Sequence, residues 1–111
     1  MQIRFGTDGW RGVIAREFTF DNLSLVAQAT MDYFVDQGLA HKGLIIGHDR
    51  RFLSRRFAER VAEVAAGNGI RVLLTDRYAP TPAVSWAVRE RGAGGGVMIT
   101  ASHNPPEYNG F

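Results

Sequence analysis

GGGVMITASHNPPEYNGF, the run from Gly94 to Phe111, decides how this chain is read: an apolar segment, Val97 to Ile99, empties into a loop presenting Ser102 and His103. Val97, Met98 and Ile99 are continuous enough to be a fully buried strand, with Gly94, Gly95 and Gly96 as its flexible entry. Thr100 and Ala101 are small and leave Ser102 little shielded, while Asn104, Pro105 and Pro106 fix the turn behind it. A serine hydroxyl is a weak nucleophile that needs a neighbouring base, cation or metal. Taken alone, Ser-His-Asn-Pro is a turn whose hydroxyl bonds the backbone.

Outward from that stretch, helix and strand periods alternate. Thr19 or Asp21 caps a helix whose residues Leu23, Val26, Thr30, Tyr33 and Phe34 share a face, and Gly38 ends it. Leu44 to Gly47 is a short buried strand. Ser54 caps the next helix, with Phe57, Val61, Val64 and Ala65 at helical spacing before Asn68 and Gly69 stop it. Val72 to Thr75 reads as a second strand. Thr81 caps a third helix with Pro82 at its first position, and Ala83, Val84, Ala87 and Val88 give it a modest apolar face ending near Arg91 and Gly92. The last strand runs from Val97 to Thr100. This alternation predicts an α/β fold with a mostly parallel sheet, whose ligands gather at the carboxyl ends of the strands. Asp49 to Arg51, Arg77 to Thr81 and Thr100 to Pro106 all fall there.

Length and composition set bounds of their own. A chain of 111 residues is the size of one domain, so residues 1–111 are expected to form a single unit. Cysteine is absent, which removes disulfides and thiolate metal cages and suits a cytoplasmic location. No apolar run approaches the ~20 residues that span a bilayer, and the amino terminus lacks an apolar signal region, so no membrane association is expected. Thirteen basic against eleven acidic residues leave a formal charge of +2, too little to predict nucleic-acid binding.

The basic residues are nevertheless grouped. Arg50, Arg51, Arg55, Arg56 and Arg60 form a run across a loop and the following helix; such a run concentrates phosphate or faces an acidic surface, but is more often a solvated face. We read Arg55, Arg56 and Arg60 as that face, and Asp49 and Arg51 as bracing for the serine loop. In Gly6-Thr7-Asp8-Gly9-Trp10-Arg11-Gly12 the glycines permit a tight turn with exposed amides, and Arg11 can hold a phosphate in bidentate fashion. His41 and His48 make no metal-ligand spacing with His103 and read as structural or surface residues.

Thr100-Ala101-Ser102-His103-Asn104-Pro105, followed by Tyr108-Asn109-Gly110-Phe111, resembles the active-site serine signature of the α-D-phosphohexomutases, the phosphoglucomutase and phosphomannomutase family. Phe5-Gly6-Thr7-Asp8-Gly9-Trp10-Arg11-Gly12 resembles that family's Gly-Thr-Asp-Gly-x-Arg-Gly motif. Gly47-His48-Asp49-Arg50-Arg51 with Ser54 resembles its Gly-x-Asp-x-Arg segment, and Thr81-Pro82-Ala83-Val84 its Thr-Pro helix start. The resemblance implies a three-layer α/β/α first domain, incomplete at its carboxyl end, in which Ser102 carries a phosphate. It implies that Ser102 donates this phosphate to a hexose phosphate, glucose or mannose, and recovers the other one from the bisphosphorylated intermediate, exchanging C1 and C6 phosphates. Arg11 then becomes a ligand of the phosphate, His103 a catalytic residue that orients it or assists proton transfer, and Asn104 a phosphate-site residue that organises the loop.

The same resemblance implies Mg²⁺, touched here by Ser102 through its phosphate, and a sugar bisphosphate activator. Most of the metal's ligands are expected outside this chain, because Asp8, Asp21, Asp32, Asp36, Asp49 and Asp76 contain no clustered triplet of the family's Asp-x-Asp-x-Asp type. Family members also continue past Phe111 with a lysine proposed as general acid or base. The other domains of such an enzyme are therefore expected partners, the isolated chain is expected to be inactive, and self-association through an exposed apolar edge is expected. Glu107-Tyr108-Asn109-Gly110-Phe111 looks closer to the glucose and mannose mutases than to the glucosamine branch. Two rivals stand beside this reading. One is a non-catalytic phosphate- or partner-binding fragment. The other is a serine hydrolase using Ser102 and His103, disfavoured because the chain lacks a Gly-x-Ser-x-Gly elbow and an ordered acid partner.

Overall fold

Two short strands that the sequence periods did not announce close the molecule. The computed structural model describes residues 9–102 and 104–111, and in it β1 (Arg11–Val13) pairs antiparallel with β5 (Tyr108–Gly110), Arg11 opposite Gly110. Three residues each are too few for a periodic signal, and both segments sit in glycine- and proline-rich sequence that reads as turn. Their pairing is extended by reciprocal backbone bonds between Trp10 and Phe111.

Helix α1 (Phe20–Asp36) starts where the sequence places it. Thr19 is extended and its hydroxyl accepts from the amide of Asn22, so Thr19 is the cap and Asp21 lies in the first turn, where its charge suits the dipole. Its buried stripe is Leu23, Val26, Ala27, Met31 and Phe34. Tyr33, expected on that face, is 60% exposed; Ala27 and Met31 take the inward positions. A 3₁₀ turn, Ala40–Lys42, leads into β2 (Leu44–His48), one residue longer than expected.

Helix α2 (Ser54–Gly67) buries Ser54, Phe57, Ala58, Val61 and Ala65. Ser54 is not its cap, contrary to expectation. Leu53 holds that place with φ 65° and has no polar side chain to cap with, while the Ser54 hydroxyl bonds Asp49. Strand β3 is Val72–Leu74 and helix α3 is Thr81–Arg91. Thr81 is likewise the first helical residue rather than the cap, which is the extended Pro80; Gly92, at φ 63°, closes the helix.

Strand β4 (Gly95–Ile99) begins two residues earlier than expected and is not buried along its whole length: Val97 and Ile99 are buried, while Met98 is half-buried. Its glycines serve close packing rather than flexibility. A Cβ on Gly95 would lie 2.9 Å from the Phe34 ring, and one on Gly96 2.9 Å from a Val88 methyl, so helices on both faces approach the bare backbone. β4 and β3 flank β2 in the order β3-β2-β4, all parallel.

Alternation along β2 assigns the layers. Leu44 and Ile46 join α1, α2, Val97 and Ile99 in the main core, whereas Gly47 faces Val84 of α3 and Met98. The result is the expected three-layer α/β/α arrangement around a parallel sheet. Trp10, stacked on Phe18 at 4.6 Å between centroids, with Phe18 edge-on to Phe57 at 4.8 Å, docks the β1 segment onto the main core.

Candidate active site

The serine loop leaves β4 at the carboxyl edge of the sheet. Ala101 is buried, Ser102 is exposed, and Ser102 adopts φ 51° in the left-handed region, which costs a residue with a Cβ on the order of 1 kcal/mol. The Ser102 amide donates to Thr100 Oγ1 at 3.0 Å, and the Ser102 carbonyl accepts from Arg51 Nη2 at 2.7 Å. The Ser102 hydroxyl forms no hydrogen bond among the described residues, so the turn-only account lacks the backbone bond it requires.

Arg51 and Asp49 hold that conformation. One Arg51 guanidinium donates to four carbonyls, those of Pro105 (2.7 Å) and Tyr108 (3.1 Å) through Nη1 and those of Ser102 and Asn104 (both 2.7 Å) through Nη2. Its Nε lies 3.4 Å from Asp49 Oδ2, with the arginine side chain 13% exposed. Asp49 in turn accepts from the Ser54 hydroxyl (2.6 Å), the Arg51 amide (3.0 Å) and the Thr100 hydroxyl (2.7 Å). Buried Asn109 donates to Ser54 Oγ at 2.9 Å, so β5 joins the same network. The bracing expected of Asp49 and Arg51 is thus carried by named bonds, each charge-assisted.

Arg11 and Asn104 are brought together beneath the loop. Arg11 Nη1 donates to Asn104 Oδ1 at 2.6 Å and to the Ala101 carbonyl at 3.1 Å. Among the described residues its Nε and Nη2 make no hydrogen bond, so the outer edge of the guanidinium remains available. β1 aims Arg11 at the loop because Gly110, opposite it, has no side chain; a Cβ there would lie 2.6 Å from the Thr100 carbonyl and 2.8 Å from Arg11 Cγ. His103, and Gly6 to Asp8 of the amino-terminal motif, lie outside the described residues. Trp10, within the same motif, is a core residue at 3% exposure. Beside the loop opens a cleft of about 680 Å³ whose wall includes Arg50, Tyr78 and Pro106.

Residues missed by the sequence reading are those that act through backbone acceptors or from short strands. Thr100, Ser54 and Asn109 form the polar floor of the loop, and their signal is only their position next to Asp49 and Ser102 in space. His48, read as structural or surface, is buried at 5% exposure. Arg55 and Arg60 are more than a solvated face: Arg55 Nη1 donates to the carbonyls of Thr75 and Asp76, and Arg60 lies 5.1 Å over the Phe20 ring. Among the described residues no group of three or more His, Cys, Asp or Glu side chains is placed to hold a metal ion, and no helix is long and apolar enough to cross a membrane.

A parallel α/β/α layer with an exposed serine on a clamped loop at its carboxyl edge is a phosphohexomutase-type domain in form. The family description "Phosphoglucomutase/phosphomannomutase, alpha/beta/alpha domain I" matches residues 2–111, and the chain belongs to that family. It is 40% identical over 115 residues to a phosphoglucomutase of Staphylococcus epidermidis, covering 98% of this chain and 20% of that protein. A "Probable phosphoribomutase" of Schizosaccharomyces pombe is also 40% identical, covering 99% of this chain and 20% of the relative. The crystal structure of a "putative phosphomannomutase" from Thermus thermophilus superposes with a TM-score of 0.93 at 49% identity, over 97% of this chain and 24% of that one. The chain therefore spans about a fifth of the length of the curated relatives it matches.

Proposed function

We propose that this chain is the phosphoserine-bearing domain of a sugar phosphate mutase, with Ser102 as the phosphoryl carrier. The observation that carries the reading is the Ser102 hydroxyl itself: exposed, free of partners among the described residues, and fixed in a left-handed conformation by Thr100 and Arg51. Phosphoryl transfer needs a positioned oxygen and neutralised charge more than a strong base. In the reading, the phosphate on Ser102 passes to the free hydroxyl of a hexose phosphate, and the other phosphate of the resulting bisphosphate returns to Ser102. Arg11 offers Nε and Nη2 to the phosphate, Asn104 holds Arg11 in place, and His103 orients the phosphate or assists proton transfer. Hexose 1-phosphate and 6-phosphate are the proposed substrates, of glucose or mannose. The ribose named for the fission yeast relative makes the pentose the first alternative to test.

Mg²⁺ and a sugar bisphosphate activator belong to this reading, but the described residues do not fit the metal. Mg²⁺ demands an octahedron of oxygen ligands, and Asp49, the carboxylate of the loop network, has both oxygens engaged. A Ser102 phosphate would supply one ligand, so the remainder belongs to other domains, which are the proposed partners; self-association is the competing outcome, read by light scattering across concentrations.

Intact-mass measurement after incubation with glucose 1,6-bisphosphate, with and without Mg²⁺, tests the assignment. The expected result is one added phosphate mapped to Ser102 and none in Ser102→Ala. Phosphate retained by Ser102→Ala overturns it. Mutase turnover is expected to be absent from the chain alone and restored when the other domains are supplied and docked. Failure after verified docking favours the non-catalytic fragment.

A further inference from the structure

We propose that Asn109, on β5, is a positioning residue for Ser102: acting through Ser54, Asp49 and Thr100, it fixes the hydrogen bond that holds the Ser102 amide. The relay is argued from the geometry alone; its consequence for phosphoryl transfer rests on the reading of Ser102 given above.

The buried groups permit one arrangement of protons. Asn109 is 0% and Ser54 1% exposed, so neither can trade its partner for bulk water. The Gly110 amide can only donate, and it lies 2.9 Å from Asn109 Oδ1. That contact orients the side-chain amide, so that Nδ2 is the group that faces Ser54 Oγ at 2.9 Å. Ser54 therefore accepts from Asn109, and its own proton goes to Asp49 Oδ1 at 2.6 Å. The Arg51 amide donates to the same oxygen at 3.0 Å. Together these two donors set the rotation of the carboxylate and present Oδ2 to the Thr100 hydroxyl, 2.7 Å away. A carboxylate accepts and does not donate, so the Thr100 proton points to Asp49 and its lone pairs are left for the Ser102 amide at 3.0 Å. Two lines of donors, one from Asn109 and one from Ser102, thus end on the two oxygens of one carboxylate, and hydrogen bonds linked in this way reinforce one another.

Ser102 needs such support. Its φ of 51° is a conformation that persists only where the surroundings over-determine it. β5 also supplies a second hold, since the Gly110 carbonyl accepts from the Thr100 amide at 3.1 Å. On its other side β5 pairs Gly110 with Arg11. One strand of three residues therefore sets the backbone leading to the serine and the strand carrying the arginine, and keeps the two in one relative position. Phosphoryl transfer depends on placement of this kind.

Amide hydrogen exchange of the 111-residue chain, followed by NMR, tests the relay. Ser102 is exposed and exchanges through local opening, whereas Ile46, buried in β2, reports whether the fold itself holds. Asn109→Asp keeps the acceptor for Gly110 and replaces the donor towards Ser54 with an acceptor. Ser54→Ala removes the next link and leaves the backbone pairing of β5 in place. Each is expected to speed exchange at Ser102 by roughly three- to tenfold, the loss of about one hydrogen bond. The double variant is expected to be no faster than the faster single one, because both cut the same line. If Asn109→Asp fails to fold, Asn109→Leu, uncharged and of similar size, takes its place. A Ser102 rate unchanged in either single variant, or increments that multiply in the double variant, overturns the proposal. The exchange result does not require phosphate on Ser102, so a chain that never accepts phosphate counts against the phosphoryl-carrier reading and not against Asn109.

Discussion

On one side of the sheet, α1 and α2 sink Leu23, Met31, Phe34, Phe57 and Val61 into a continuous core with Ile46, Val97 and Ile99; on the other, α3 buries Val84 alone and leaves Trp86 63% exposed. The first side is held by volume: interlocking aromatic and branched side chains, with Phe57 in ring contact with both Phe18 and Phe20. The second is held by proximity. Gly47 and Gly96 let α3 lie against bare strand backbone, so buried Val84 and half-buried Val88 suffice to seat it. A helix with little apolar surface can still be placed accurately if the sheet beneath it is made of glycine.

Three substitutions break or sharpen that contrast, and urea denaturation measures each. Phe57→Ala removes the ring at the centre of the interlocked side, with an expected loss of about 3–5 kcal/mol. Gly47→Ala attacks the proximity of the other side. The added methyl meets Val84 and sits 3.2 Å from the Met98 sulfur, so we expect a loss of about 1–3 kcal/mol, together with displacement of α3 seen as changed Trp86 fluorescence. Trp86→Ala is expected to change stability by less than about 0.5 kcal/mol, because its ring is mostly in solvent. If Trp86→Ala cost more than Gly47→Ala, α3 would be held by its exposed face and the contrast would be wrong.

The parts of this architecture legible in the sequence are those with a period. Helices α1 and α2 and the β2 run repeat apolar residues often enough to show through, and Thr19 announces a helix start by chemistry alone. The errors share one cause. Ser54 and Thr81 look like caps, yet each already lies inside its helix. Ser54 is also taken by Asp49, a partner five residues away that no periodicity reveals. Gly95 and Gly96 read as a flexible entry because a sequence does not show which rings and methyls will press on them. Ser102, Arg11 and Asn104 became candidates through motif resemblance, and the structure puts Arg11 in contact with Asn104. The four-carbonyl clamp of Arg51 was not, since carbonyls carry no residue identity and any sequence offers the same acceptors.

The pairing of β1 with β5 has a consequence for the order in which the molecule is made. Arg11 sits opposite Gly110, so its strand waits unpaired through synthesis of α1 to α3 and of strands β2, β3 and β4. Closing so long a loop is entropically costly and slow relative to local helix formation. The nascent chain can therefore form these hydrophobic layers before Arg11 is held in its strand, which waits until residues 108–110 clear the ribosome.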